Sequence, residues 1–535
     1  MRTTNTFYVI ASLILFLSAN IIPQSSGDFR NNGSGLWNAK ATWQTYNGST
    51  WVAATAAPTG SENITLQATT DSVDVNVPVT ITGTLKNLGG KLINSAATLT
   101  FGNNSLYEHA ANGGSMPVAT WGIGSTCLIT GVTANAPSNS NQNFYNFSWD
   151  CPNYITAINL GWGGNTIGGN VKVKGSLVKT MLRFTSSGKG NEAPGANVIT
   201  INGDIILEDI LAYLSSTGSS GQDTIEVYAN GNITSYGTFN LANGSGTTCK
   251  WFFSGGNLNI IGGSMTTNSN VTSLPDSFIF VGTSKQTFYK ADSLGSISNV
   301  QFALRPGAIV DLVATSIGGS ATTFTMPSGS TLLTSHKSGL GGNLSMSGNN
   351  AKKLPVDGNY EYHGIVSQVD SLLPATVNNL YINNPDTVSF TKPITVNGVL
   401  TLKQGLLDNS VNAIIIGTTG SVVYAGGHAA VPIQGWPDGI KEVAVAPKVF
   451  KLFNNYPNPF NPSTQIRFSV PQDGFTSLKV LNILGQEVAT LFEGNAKSGN
   501  ILEITFNARN LSSGIYFARL QQEGKISIQK MNLIK

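Results

Sequence analysis

Val73-Asp-Val-Asn-Val-Pro78-Val-Thr-Ile-Thr-Gly83-Thr-Leu85 decides the fold, because a second copy of this stretch stands much later in the chain. The second copy, Val388-Ser-Phe-Thr-Lys-Pro393-Ile-Thr-Val-Asn-Gly398-Val-Leu400, aligns with the first without a gap. Apolar and polar residues alternate on both sides of the glycine, which predicts two short β-strands joined at a corner. Glycine suits such a corner because the backbone there either takes a positive φ or approaches a neighbouring segment closely.

The same corner recurs in weaker form as a glycine, a polar or small residue and then a branched or long apolar residue. Successive corners from Gly169 to Gly256 lie roughly 25 to 35 residues apart, which is typical of stacked structural repeats. We therefore predict an all-β chain in which residues 71–437 form a right-handed parallel β-helix-like repeat region. Two or three antiparallel β-sandwiches are the alternative, because they also contain short alternating strands. The weaker corners are Gly169-Asn-Val, Gly203-Asp-Ile, Gly231-Asn-Ile, Gly256-Asn-Leu and Gly342-Asn-Leu.

The composition agrees with long β structure. Charged residues are only 11% of the 535 residues, and there are 60 glycines. Small polar residues fill the polar positions instead, which suits flat rungs and tight turns. From Pro447 onward there are 10 Lys or Arg against 5 Asp or Glu, which leaves 20 against 22 before that point. No basic stripe with interleaved aromatic residues occurs, so we expect no nucleic-acid partner.

The N-terminal residues 1–27 have the pattern of a secretory signal peptide. Met1-Arg2 is a positively charged start, and the apolar stretch Phe7 to Leu17 is too short to span a bilayer. Residues 28–70 follow with three tryptophans among turn residues. We interpret this segment as a cap over the first rung, and a glycan-binding surface of exposed indoles is the alternative. The tryptophans are Trp37, Trp43 and Trp51.

A dense aromatic patch interrupts the repeats near residues 107–162, and we predict an insertion there. Its two cysteines, Cys127 and Cys151, are close enough in sequence to form a disulfide in an exported protein. Cys249 is then left over, and we interpret it as a buried small residue.

The C-terminal region has a different texture. Residues 438–449 are short, mixed and contain Pro447, so we predict a linker. Residues 450–535 contain six or seven short alternating strands, which indicates a small β-sandwich with an Ig-like shape. Glu523-Gly524 is a natural hairpin turn between the last two strands.

Three sequence blocks in this region resemble the C-terminal sorting domain, of the cleavable type, in cargo of the type IX secretion system. The resemblance implies export to the periplasm of a Gram-negative bacterium and recognition by an outer-membrane translocon. It further implies removal of the domain by a sortase and release of the cargo or its attachment to surface lipopolysaccharide. The repeats loosely resemble β-helix-like bacterial surface proteins. The blocks are Tyr456-Pro457-Asn458-Pro459-Phe460, Leu478-x-Val480-x-Asn482-x-Leu484-Gly485-Gln486 and Leu511-x-x-Gly514-Ile515-Tyr516, followed by Lys530 and Lys535.

By this resemblance, these residues belong to the recognised or structural pattern of the sorting domain. Gly485 and Gly514 are expected where the backbone conformation requires glycine, and not as contacts to a partner. Lys530 and Lys535 are expected to be exposed and to take part in recognition.

Chemistry in the repeat region would require converging carboxylates, either for acid/base work or for holding Ca²⁺. Four histidines show no metal-ligand spacing, so we expect neither a metal nor another cofactor. The favoured function is a non-catalytic adhesion or surface role. A polysaccharide lyase or glycoside hydrolase on the same scaffold is one alternative, and a glycan-binding protein is another. Candidate acid/base residues are Asp204, Glu208 and Asp209; Asp223 and Glu226; and Glu361 and His363, and the other histidines are His109, His336 and His428.

Overall fold

In the computed structural model, the regular elements of the described residues are strands, apart from one 3₁₀ turn, Lys40–Thr42, and one short helix, α1, Gly339–Asn343. The chain divides into two compact units, residues 1–151 and 152–535. Most of the predicted signal peptide lies outside the described residues. The structure describes residues 24–67, 70–94, 97–185, 197–216, 224–243, 248–267, 276–291, 295–347, 351–434, 441–443, 449–496, 498 and 501–534.

The first unit is a solenoid of stacked parallel strands, and its N-terminal strands β1, β3 and β4 pair antiparallel with one another. Strands β5, β8, β11, β13 and β14 stack in register on one face, while β7, β10 and β12 form a second face and β2, β6 and β9 a third. The strands are β1 Phe29–Asn31, β2 Gly35–Leu36, β3 Trp43–Tyr46, β4 Trp51–Ala53, β5 Asn63–Leu66, β6 Ser72–Asp74, β7 Val79–Ile81, β8 Thr84–Asn87, β9 Lys91–Ile93, β10 Leu99–Phe101, β11 Leu106–His109, β12 Thr120–Trp121, β13 Thr126–Ile129 and β14 Asn146–Trp149.

The aromatic stretch that we expected to be an insertion forms regular rungs in this unit. Tyr107, Cys127 and Phe147 are consecutive register partners on β11, β13 and β14, and all three side chains are buried. The aromatic residues are dense because this part of the solenoid fills its interior with rings, which bury large apolar areas. The register also places Cys127 opposite Phe147, four residues before Cys151. All three cysteines of the chain are free thiols, so the predicted disulfide between Cys127 and Cys151 is not formed.

In the solenoid of the second unit, the strands that the structure describes pair in parallel. One face contains β16, β19, β22, β25, β28, β31, β33 and β35, a second contains β15, β18, β21, β24, β27 and β30, and a third runs from β17 through β20, β23, β26, β29, β32, β34, β36 and β39 to β41. Parallel pairing in every rung confirms the predicted β-solenoid and excludes the antiparallel sandwiches for this region.

The strands of this solenoid are β15 Ile158–Asn159, β16 Thr166–Ile167, β17 Val171–Val173, β18 Leu182–Arg183, β19 Val198–Ile201, β20 Ile205–Leu207, β21 Tyr213–Ser215, β22 Thr224–Ala229, β23 Ile233–Ser235, β24 Thr238–Asn240, β25 Thr248–Phe253, β26 Asn257–Ile260, β27 Ser264–Thr266, β28 Ser277–Phe280, β29 Lys285–Lys290, β30 Ser296–Ser298, β31 Gln301–Leu304, β32 Ile309–Asp311, β33 Thr323–Thr325, β34 Thr331–Thr334, β35 Lys352–Lys353, β36 Asn359–His363, β37 Gln368–Asp370, β38 Thr376–Val377, β39 Asn379–Phe390, β40 Ile394–Val396, β41 Val399–Asp408, β42 Ile414–Ile416, β43 Ser421–Tyr424 and β44 His428–Ala429.

The interior is held by columns of apolar side chains that occupy equivalent positions in successive rungs. Trp251, Phe278, Phe302 and Phe324 are consecutive register partners, and none of them is more than 1% exposed. Each buried ring of this size stabilises the fold by about 1.5–3 kcal/mol relative to an exposed position. The column therefore ties each rung to the next through the centre of the solenoid.

Glycine corners lie between the strands, and close backbone approach is the reason for them. A Cβ atom at Gly231 would lie 2.2 Å from the carbonyl oxygen of Gly203, and one at Gly83 would lie 2.4 Å from that of Glu62. The polar residue after each glycine links the rungs: Asp204 Oδ1 accepts a hydrogen bond of 2.7 Å from the backbone N–H of Asn232. Gly342 is different, because it lies in α1 and not at a strand corner.

The C-terminal region consists of two antiparallel four-stranded sheets, β45-β50-β47-β46 and β49-β48-β51-β52, which share one apolar core. This agrees with the predicted β-sandwich. The predicted linker is partly structured, because the backbone of β45 pairs with β50. The strands are β45 Lys441–Val443, β46 Lys451–Leu452, β47 Ser463–Ser469, β48 Gly474–Leu481, β49 Glu487–Ala496, β50 Ile501–Asn507, β51 Gly514–Gln522 and β52 Lys525–Leu533.

Candidate functional site

The acidic residues that follow the Gly203 corner do not form a catalytic group. Asp204 joins two rungs through its hydrogen bond from the backbone N–H of Asn232. Asp209 accepts hydrogen bonds from the backbone N–H groups of Gly175, Leu211 and Ala212, so its carboxylate fixes a turn and joins two rungs. Glu208 is exposed. These three carboxylates therefore have separate structural environments.

The second acidic pair is also not brought together as a site. Asp223 lies outside the described residues. Glu226 accepts a hydrogen bond of 3.0 Å from the hydroxyl of Tyr228, which stacks on Phe252 with ring centroids 4.8 Å apart. Burial and the contact with Glu226 raise the pKa of Tyr228. Arg305 lies over Phe252, which gives this outer face an aromatic and charged surface.

The third candidate pair is separated, and one of its members acquires a partner that the sequence did not suggest. Glu361 accepts a hydrogen bond from the side chain of Asn383. His363 instead reaches Asp311, with 2.8 Å between Nε2 and Oδ1, and Lys285 Nζ lies 3.4 Å from the other carboxylate oxygen. Asp311 and His363 are 52 residues apart, and only the stacking of β32, β34 and β36 brings them together.

The Asp311–His363 pair has the geometry of an oriented imidazole. The Asp311 side chain is 3% exposed, whereas His363 is 24% exposed and Lys285 is 58% exposed. Burial raises the pKa of the Asp311 carboxyl, but the hydrogen bond and charge of His363 outweigh burial, so the pKa is lowered overall. An ionised carboxylate can only accept, so Nε2 carries the proton of this hydrogen bond. The arrangement can orient His363 for proton transfer.

The remaining histidines have structural or solvent-exposed positions. His109 is fully buried, with Nε2 2.8 Å from the carbonyl oxygen of Gly113 and Nδ1 3.0 Å from the hydroxyl of Tyr107. Burial lowers its pKa. His336 Nδ1 accepts from the backbone N–H of Ser338, and His428 is exposed. Within the described ranges, no group of three or more His, Cys, Asp or Glu side chains could hold a metal ion.

The N-terminal tryptophans do not form a platform of exposed indoles. Trp37 and Trp43 are 2% and 1% exposed, and their rings meet edge to face at 5.1 Å. Buried indoles of this kind leave the cap over the first rung as a prediction and remove the glycan platform at these two residues. Trp51 is half-buried, with the Arg30 guanidinium 4.5 Å from its ring centroid and Tyr46 5.4 Å away.

The motif that opens the C-terminal domain forms a clasp onto its last strand. Phe460 donates its N–H to Asn532 and accepts from the N–H of Ile534, and its ring is buried in the domain core. The side-chain amide of Asn458 also bonds to the backbone of β52. Its Nδ2 donates to the Lys530 carbonyl at 3.2 Å, and its Oδ1 accepts from the Asn532 N–H at 2.9 Å. The first and last segments of the domain are therefore joined.

The other residues of the motif, Tyr456, Pro457 and Pro459, lie beside this clasp. The peptide bonds before Pro457 and Pro459 are cis. Tyr456 exchanges two backbone hydrogen bonds with Gln465, and its side chain is 77% exposed. The ring of Tyr456 is thus free to contact a partner, while its backbone is fixed.

The other residues of the predicted sorting pattern have distinct positions. Gly485 has a φ of +79° in the turn after β48, as expected for a backbone need, and Glu523 and Gly524 form the predicted hairpin turn with positive φ values. Gly514 has neither a positive φ nor a crowded Cβ position, so backbone geometry does not explain it. Tyr516 is buried and donates its hydroxyl proton to the carbonyl of Ser512. Lys530 is exposed, and Lys535 lies outside the described residues.

Comparison with known proteins identifies this domain. Residues 454–535 match the family model described as a secretion system C-terminal sorting domain. The chain is cargo of the type IX secretion system. Neither the curated proteins nor the solved structures contain a significant match.

For this type IX cargo, the sorting domain implies an interaction with the secretion machinery. It also implies export to the surface or the extracellular space of a Bacteroidetes-type Gram-negative bacterium. In the described part of the chain, no helix is long and apolar enough to cross a membrane.

Proposed function

We propose that the exported chain is a non-catalytic β-solenoid that serves adhesion at the cell surface and binds glycans there through many weak contacts. The observation that carries this proposal is the position of the described carboxylates. Asp204 and Asp209 fix a corner and a turn, Glu208 is exposed, and the described ranges hold no group of three or more His, Cys, Asp or Glu side chains that could bind a metal ion. Hydrolysis of a glycosidic bond uses a pair of carboxylates that face the bond, and cleavage that depends on Ca²⁺ uses a cluster of them. The candidate carboxylates are not brought together in either way.

The outer surface of the solenoid supports a binding role. Asn230 donates its side-chain amide to Asn202 at 2.9 Å and accepts from the hydroxyl of Ser254 at 2.7 Å, and all three lie at equivalent places in successive rungs. Such an exposed ladder repeats hydrogen-bonding groups along the solenoid, at the spacing of adjacent strands. A repetitive polar polymer such as a glycan offers matching groups, and many weak contacts add up when they act together.

Purified mature chain on a glycan array, together with a reducing-sugar release screen on the glycans that it binds, tests the proposal. We expect binding without release of sugar ends. Release of sugar ends by the wild-type chain would contradict a non-catalytic role, and absence of binding to any glycan would contradict the adhesion ligand.

A second candidate function is cleavage of an acidic polysaccharide at Asp311 and His363. The oriented imidazole beside the exposed Lys285 ammonium favours it, because a base and a cation near a carboxylated sugar are the groups that such cleavage uses. If the release screen is positive, His363→Gln and Asp311→Asn should each abolish release. His428→Gln is the matched control, because that histidine is exposed and remote in register from this pair.

We further propose that the sorting domain is removed after export and that the mature chain is then released or attached to surface lipopolysaccharide. The signal peptide at residues 1–27 belongs to the same proposal, since the chain must first enter the periplasm. Mass spectrometry of the surface form should find peptides from the solenoid and none from residues 450–535. Tail peptides at the same abundance as solenoid peptides would contradict cleavage.

A further inference from the structure

We propose that the type IX machinery recognises the sorting domain by adding an extended segment of its own to the open edge of β52. This inference rests on the sorting function of residues 454–535 and names the surface that performs it. In the sheet order β49-β48-β51-β52, β52 is the edge strand. Among the described strands it pairs with β51 alone, and a single bridge joins Leu533 to Phe460 on its other side.

The direction of the backbone groups shows which part of this edge is open. Backbone N–H and C=O groups alternate in direction along an antiparallel strand. The N–H and C=O of Asn532 point away from β51, because they bond to Asn458 and Phe460. Ile526, Ile528 and Lys530 lie an even number of residues before Asn532, so their backbone groups point to the same side.

The clasp covers only the C-terminal end of this edge. Asn458 and Phe460 engage the strand from the carbonyl of Lys530 to the N–H of Ile534. Among the described residues, no backbone group outside β51 bonds to the N–H groups of Ile526 and Ile528. The clasp thus already acts as the start of a fifth strand, and a partner segment can continue it along the free half of β52.

The side chains beside the open half are unusual for an unprotected edge. Ile526 and Ile528 are 52% and 57% exposed, and both point to the outer face together with the exposed Lys530. Exposed, apolar edge strands template pairing with other chains, and soluble domains normally avoid them. A strand that must be recognised gains from the same property, because strand addition supplies main-chain affinity and alternate side chains supply specificity.

The geometry also defines the chemistry of the partner. Its added segment needs an alternating pattern with apolar side chains beside Ile526 and Ile528. A carboxylate beside Lys530 would complete the match, since the sorting region carries more basic than acidic residues.

Export of the full chain in a type IX-competent host tests this surface. Ile528→Pro removes an N–H that points to the open edge and leaves the N–H groups that bond to β51 intact, a placement that edge strands tolerate. A second variant, Ile526→Thr with Ile528→Thr, removes the apolar contacts but keeps the β propensity and all backbone donors. Ile483→Thr is the matched control, because Ile483 is 70% exposed in a turn of the same domain.

We expect the proline variant to reduce the exported fraction at least tenfold, with the chain retained in the periplasm. The double threonine variant should reduce it several-fold, and Ile483→Thr should not change it. Protease resistance of the retained chain reports whether the sorting domain is folded, and the double threonine variant decides the matter if the proline variant is degraded.

Wild-type export of a folded proline variant and of the double threonine variant would overturn the proposal. A chain ending before Pro447 separates this failure from failure of the sorting function. If the truncated chain stays in the periplasm while both edge variants are exported, sorting stands and the edge is not the recognised surface. If the truncated chain is itself exported normally, the sorting function fails as well.

Discussion

Gly231→Ala should destabilise the solenoid strongly, whereas Gly256→Ala should not. The two glycines occupy equivalent register positions before β23 and β26. A Cβ at Gly231 would lie 2.2 Å from the Gly203 oxygen, 2.3 Å from its carbon and 2.7 Å from the Asp204 nitrogen, all of which are backbone atoms. A Cβ at Gly256 would meet only the side-chain oxygen of Asn232, at the ordinary distance of 3.4 Å.

The magnitude follows from what must move at Gly231. The two rungs have to separate locally, which costs about 1–3 kcal/mol as overpacking. The separation also strains the hydrogen bonds that cross this corner, Asn232 N–H to Asp204 and Ile205 N–H to the Asn232 carbonyl, each of which contributes about 1 kcal/mol. The expected loss is therefore about 2–4 kcal/mol, against less than about 1 kcal/mol of either sign for Gly256→Ala.

Urea unfolding of the purified chain, followed by tryptophan fluorescence, measures this difference. Trp251 is a suitable reporter because it lies on β25, in the rung that stacks directly on the one containing Gly231. The m-value increases with protein size, and with a value of about 4 kcal/mol/M the midpoint should fall by about 0.5–1 M for Gly231→Ala. Equal midpoints for the two alanine variants would refute the argument that close backbone approach selects glycine at these corners.

Three further predictions concern the buried groups and the clasp. Burial lowers the pKa of His109 below its usual 6.5, so the unfolded chain takes up the proton first as the pH falls. The contribution of His109 to stability should therefore be constant above about pH 6.5 and decrease below it. The pH dependence of the urea midpoint tests this, and His109→Gln should remove the slope whereas His428→Gln should keep it. Asn458→Ala should lose about 1–2 kcal/mol of local stability and speed hydrogen exchange in β52, whereas Tyr456→Ala, which removes an exposed ring, should leave exchange unchanged. A thiol reagent should find no reactive cysteine in the native chain and three after denaturation. The reason is that burial raises the pKa of all three thiols, to about 12 for Cys151. Recovery of only one thiol after denaturation would instead indicate a disulfide.

The repeat corners could be predicted from the sequence because a glycine, a polar or small residue and an apolar strand recur along the chain. At the glycines 83, 203, 231 and 398, a Cβ atom would lie within 3 Å of a backbone atom of the neighbouring rung, whereas Gly256 has no such contact. Gly342 shows the limit of this pattern, since the same three-residue motif occurs at the end of a short helix. The motif predicts a turn that contains a polar, hydrogen-bonding residue. Whether this turn becomes a corner of the solenoid depends on the rungs that stack beside it.

The aromatic stretch contains a regular spacing that predicts its rungs. Tyr107, Cys127 and Phe147 are spaced by 20 residues and lie on top of one another, as do Phe101 and Trp121. A constant spacing indicates one rung per 20 residues. Aromatic density alone favours an insertion, but a solenoid can fill its interior with rings as well as with aliphatic side chains.

The Asp311–His363 pair could not be found from the sequence, because its members are not neighbours by any periodic rule. The rungs between β29 and β36 differ in length, since loops of different size leave each one. The residue that lies beside His363 therefore depends on the lengths of two intervening loops. His363 and Glu361 lie two residues apart on β36, but they bond to opposite sides of it, His363 to Asp311 of β32 and Glu361 to Asn383 of β39.

The sorting domain has an apolar core of its own. Its core cluster contains only residues between Leu452 and Leu533, and its first motif is bonded to its last strand. A domain whose ends are joined in this way can specify its own fold. The sequence match accordingly begins at residue 454, close to the motif that forms the clasp. The two proposed functions would lie on different surfaces, because recognition by the secretion machinery would use the open half of β52 and ligand binding would use the polar ladders of the solenoid.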